Sequence, residues 1–126
     1  MDGLLIEGDT GWRNLSTVLE NGWAGLIYIR RINNIVCVSA GRYSFTGADA
    51  TSDAFYTLPA GFRGYGPGNY SFLGVAGLGG AVPTMGLVGI TRHTFSLTSS
   101  ARTQVAGEWS YATQDAWPST LPGTAV

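Results

Sequence analysis

Lysine is absent from this chain of 126 residues: its seven basic residues are Arg13, Arg30, Arg31, Arg42, Arg63, Arg92 and Arg102. Charge is scarce altogether. Charged residues make up 12% of the chain and the formal net charge is −1, where an average domain carries about 25% charged residues. Scattered arginines balanced by eight acids form no basic patch, which excludes electrostatic capture of nucleic acid. Cys37 is the single cysteine, so an intramolecular disulfide and a cysteine metal site are both excluded. His93 is the single histidine, so one chain cannot build a multi-histidine metal centre. No apolar run approaches the roughly 18 residues of a membrane-spanning helix. The first ten residues carry Asp2, Glu7 and Asp9 without a basic segment, unlike a secretory signal. Disorder does not fit a hydrophobic content of 44% at near-zero net charge. The glycines follow no three-residue period, which excludes collagen.

What the sequence has is glycine, 19 residues of it, set between short runs with a period of two. That pattern predicts an all-β domain. Leu26–Ile32 is rich in β-branched and aromatic residues. Asn33-Asn34 supplies residues that tolerate a left-handed backbone, and Ile35–Phe45 returns. Further strands are expected at Asp53–Leu58, Tyr70–Ala76, Gly86–Thr91 and Thr94–Thr98. Pro59-Ala60-Gly61 closes the first of these. From Gln104 the residues alternate. Val105, Gly107, Trp109 and Tyr111 fall on one face and Gln104, Glu108 and Ser110 on the other, as in a strand with one dry face. Leu15, Val18 and Leu19 share a helical face over one or two turns, stopped by Asn21-Gly22. The spacing fits a single β-sandwich, jelly-roll-like, over 1–126, with 1–10 as a lead-in and 115–126 as an extended tail.

Catalytic chemistry finds few candidates. Asp49 and Asp53 form a close acidic pair in a loop, too few oxygens for a calcium site. His93 lies at a turn between strands. Cys37 lies in the apolar run Ile35–Val38 and reads as a buried, inert thiol. The glycine-rich stretches match no phosphate-binding spacing. These residues predict no enzyme, no metal and no cofactor. The aromatics carry more. Trp109, Tyr111, Phe55, Phe72 and Phe95 lie on expected strands and read as core. Trp12, Trp23, Tyr65, Tyr70 and Trp117 lie in or beside loops and termini. Aromatics there stack on sugar rings or pack over sandwich ends and subunit contacts, and both uses are open. With Arg63 they form the candidate ligand-binding set.

Four segments in order carry a resemblance. They are Asp9-Thr10-Gly11-Trp12-Arg13-Asn14-Leu15 with Asn21-Gly22-Trp23, the hairpin Ile29–Val36, Leu58-Pro59-Ala60-Gly61-Phe62-Arg63, and Asp115-Ala116-Trp117-Pro118 with Leu121-Pro122-Gly123. Together they resemble the C-terminal tip domains of bacteriophage tail fibres and minor tail proteins. The resemblance implies a homotrimeric β-sandwich in the virion, joined to the remainder of the tail fibre. It implies attachment to a host bacterial surface glycan, and it brings no catalytic residues. A structural trimerising or capping domain without receptor contact is the alternative. A carbohydrate-binding module or small glycan-active enzyme is a third reading, for which hydrolysis would need two carboxylates about 5–10 Å apart. Low charge suits the apolar interfaces of an obligate oligomer.

Overall fold

A computed structural model describes residues 8–47, 52, 54–64, 70–77, 84–90, 94–97 and 105–126, with 41–45, 70–77, 84–90, 97 and 105 described by their backbone. Every regular element among them is a strand: β1 (Arg13–Asn14), β2 (Ala24–Ile32), β3 (Ile35–Thr46), β4 (Ala54–Thr57), β5 (Tyr70–Gly77), β6 (Thr84–Ile90), β7 (Thr94–Leu97), β8 (Val105–Ala112) and β9 (Thr124–Ala125). All pair antiparallel in one nine-stranded sheet of order β4-β7-β6-β5-β8-β3-β2-β1-β9.

That sheet folds over itself. Three strand spacings separate β7 from β8 along the sheet, about 14 Å if it were flat. Yet the rings of Phe95 on β7 and Trp109 on β8 lie 5.6 Å apart, edge to face. Phe55 on the edge strand β4 reaches Trp109 at 6.5 Å and Trp23 at 5.2 Å. The β4–β7 end of the sheet therefore folds back over its middle strand β8 in the manner of a sandwich, with an aromatic core between them. Bulges accompany the bend. Between Gly25 and Ile27 β2 advances two residues, while β3 advances five, from Ala40 to Phe45; β8 also advances two there, from Gly107 to Val105. Such excess residues bend a strand and tighten its twist.

The alternation predicted for β8 is the alternation observed, and β2 and β3 alternate in the same way. Ile27, Ile29 and Arg31 of β2, Val36, Val38 and Ala40 of β3, and Trp109 and Tyr111 of β8 point inward and are buried. Phe55 and Phe95 are fully buried as expected. Asn33 holds φ 51° at the β2–β3 turn, the left-handed geometry that asparagine tolerates.

Two sequence expectations are corrected. The segment from Leu15 is a turn rather than a helix: the Val18 N–H donates to the Leu15 carbonyl at 3.0 Å and the chain then moves off. It instead covers the free edge of β4. There the Glu20 N–H donates to the Phe55 carbonyl, the Glu20 carboxylate accepts from the Thr57 N–H and hydroxyl, and Asn21 Nδ2 donates to the Ala54 carbonyl. An open strand edge is thereby closed to other chains. The extended tail ends in a short strand, where Thr124 and Ala125 pair with Asn14 and Arg13. Cys37 is half-buried and on the outward-facing side of β3, opposite Arg30 and Ser110.

Candidate functional site

Two neighbouring arginines on β2 organise two different places. Arg31 points inward and is 3% exposed. Its guanidinium donates to four backbone carbonyls: Nε to Asn33, Nη1 to Gly61 and Ala116, and Nη2 to Asp115, at 2.8–3.0 Å. The Trp117 ring lies over it at 5.0 Å, a cation–π contact. The Asp115 carboxylate turns the other way and accepts from the Gly61 and Arg63 N–H groups. Tyr111 Oη donates to the Phe62 carbonyl at 2.6 Å. Burial pulls the Arg31 pKa below its usual value, with Asp115 opposing that shift. Burial holds the Tyr111 hydroxyl well above its usual range. Gly61 is required at this point. Its φ is +99°, and a Cβ there would lie 2.6 Å from Pro118 Cβ.

Arg30 points outward. It forms a two-pronged ion pair with Asp9, whose Oδ1 also accepts from the Gly11 N–H at 2.8 Å. The register of β1 and β2 pairs Arg13 with Ile29 and brings Trp12 beside Arg30, whose guanidinium lies 5.8 Å from the Trp12 ring. The hydrogen bonds from Arg30 are the main cause lowering the Asp9 pKa below its usual value. Across the same outer face, register sets Tyr28, Ser39 and Glu108 in one row and Arg30, Cys37 and Ser110 in the next. Two shallow grooves of about 350 and 360 Å³ lie on this face, and Trp12 and Glu108 line both. Ser39 Oγ donates to Glu108 Oε1 at 3.3 Å.

The six candidate residues thus separate. Trp12 stands at the outer-face grooves. Trp117, 37% exposed, sits on the Arg31 knot beside a groove of about 320 Å³. Arg63 joins the same knot through its backbone, and its buried Nε has no hydrogen-bond partner among the described residues. Trp23 is the correction. It is 4% exposed, packs on Phe55 and donates its indole N–H to the Ser52 carbonyl at 2.9 Å, so it offers a ligand no face in this chain. Tyr70 begins β5, described by its backbone, and Tyr65 lies outside the described residues, as do Asp49, Asp53 and His93. Tyr28, Ser39 and Glu108 had not been singled out for binding, although the period of two already put Glu108 on the wet face of its strand.

Among the described residues no three His, Cys, Asp or Glu side chains gather to hold a metal, and no helix is long and apolar enough to cross a membrane. Comparison of the chain with known proteins found no matching family, no matching curated protein and no matching solved structure.

Proposed function

We propose that this chain is an attachment domain of the kind found at the tips of bacteriophage tail fibres. It is a jelly-roll-like sandwich that assembles as a homotrimer in the virion and engages a saccharide of the host bacterial surface, without catalysis. One observation carries the reading. Three of the segments that bear the resemblance, the hairpin at Arg31, the Pro59–Arg63 turn and Asp115–Trp117, meet in a single hydrogen-bonded knot. Segments far apart in sequence and shared as a set are what one interlocked scaffold would require. The fourth segment supplies Asp9 and Trp12, held on the outer face by Arg30.

The alternative of a structural capping or trimerising domain draws on the exposed Ile32 and Ile35, which pair beside the hairpin turn with Ala112 next to them. Light scattering of the full chain, with sedimentation on bacterial wall material, separates the readings. A trimer at micromolar concentration that pellets with walls supports attachment. A trimer that pellets with none supports the structural reading, and a monomer removes the trimer from both.

A further inference from the structure

We propose, on the reading of the chain as an attachment domain, that the outer-face groove between Trp12, Tyr28 and Glu108, with the second groove that shares Trp12 and Glu108, seats an uncharged pyranose sugar. Their volumes, about 350 and 360 Å³, lie at the lower end of the range of small-molecule sites, about 300–1,000 Å³. A pyranose presents an apolar C–H face and a rim of hydroxyls. Trp12 and Tyr28, both half-buried, offer aromatic surface for the first. The Ser39–Glu108 pair serves the second, because the carboxylate accepts from one hydroxyl and keeps further lone pairs for the sugar.

Charge selects among sugars. The guanidinium against Trp12 is already engaged by both oxygens of Asp9. Glu108 is exposed and has no ion-pair partner among the described residues. The groove therefore carries an uncompensated negative charge, which repels uronates and other acidic sugars. Trp12 is also fixed before any ligand arrives. Asp9 grips both the Gly11 N–H and Arg30, and Arg30 lies over the indole, so little ordering remains for binding to supply.

The test is a titration of the full chain with cellotetraose, chitotetraose and tetragalacturonate, followed by NMR of the indole N–H signals. The Trp12 signal shifts with a neutral oligosaccharide and not with the acidic one, while the signal of the buried Trp23 stays in place. Trp12→Ala and Tyr28→Ala each weaken the neutral sugar at least about tenfold. Glu108→Gln weakens neutral binding by about threefold to tenfold, because a charge-assisted hydrogen bond to a sugar hydroxyl becomes a neutral one, and admits the acidic sugar. No shift with either neutral sugar, or tighter binding of the acidic one by the unaltered chain, overturns the proposal. So do Trp12 and Tyr28 variants that change assembly size and leave sugar binding untouched. Sedimentation with bacterial walls keeps the two readings apart. Walls bound equally by the chain and both aromatic variants sink the groove and leave attachment standing. Titratable sugar binding with no wall binding does the reverse.

Discussion

Arg30 and Arg31 are consecutive on one strand and live in opposite worlds. Arg31 is buried among backbone carbonyls from the β2–β3 turn, the Pro59–Gly61 turn and the C-terminal segment. Arg30 is one residue away, a third exposed, and holds one surface carboxylate and one indole. The period of two separates them: the pleat sends alternate side chains to opposite faces. Fold-holding chemistry collects on the inside of β2, and chemistry available to a partner collects on the outside. The neighbours follow the same division, with Trp117 and Tyr111 tied to the knot and Trp12 and Tyr28 on the outer face.

The division breaks most severely at Arg31 itself. Arg31→Met leaves buried carbonyls without donors, and urea unfolding should show a loss of about 3–5 kcal/mol. Gly61→Ala comes next. It combines a positive φ with a Cβ forced against Pro118, and calorimetry should register about 2–3 kcal/mol. Gly123→Ala attacks the same architecture from the tail. A Cβ there would lie 1.9 Å from the Asn14 carbonyl oxygen, so the β1–β9 pairing is lost first. Hydrogen exchange at Arg13, Asn14, Thr124 and Ala125 should rise while the core amides stay protected. Tyr111→Phe removes one buried hydrogen bond to Phe62, for about 1–2 kcal/mol in chemical denaturation.

The smallest effect belongs to the outer face. Asp9 titrates below its ordinary 3.8, chiefly because Arg30 donates to it. Its contribution is therefore complete above that unfolded-state value and disappears as pH falls through the lower folded-state value. For a pair about a third exposed the stability change stays under about 1 kcal/mol. The Trp12 environment, read by indole NMR, should be constant at neutral and mildly acidic pH and change only in strong acid. Asp9→Asn should shift it already at neutral pH and remove its change in strong acid.

Much of the frame was legible from periodicity. The β2–β3 hairpin has two long β-rich runs around Asn33-Asn34, and β8 alternates cleanly through Trp109 and Tyr111. The failures share a physical origin in long-range partners. β9 is two exposed residues with no pattern of its own. It is placed by β1, with Arg13 donating to the Pro122 and Gly123 carbonyls far along the chain. Trp23 looked like a loop aromatic because nothing local says that the fold brings Phe55 over it. Leu15 is fully buried and Leu19 packs against the core, but Val18 is exposed, so the apparent helical face was two core contacts on an irregular segment. Of the outer grooves, Trp12 was visible as an aromatic beside a loop. Tyr28, Ser39 and Glu108 come together only through the registers of β2, β3 and β8.

Thermal unfolding of Arg30→Gln and Arg31→Gln, measured side by side, tests the division between the two faces most directly. Arg31→Gln should lower Tm by about 10–20 °C and Arg30→Gln by less than about 3 °C. Equal losses, or the larger loss at Arg30, would contradict it.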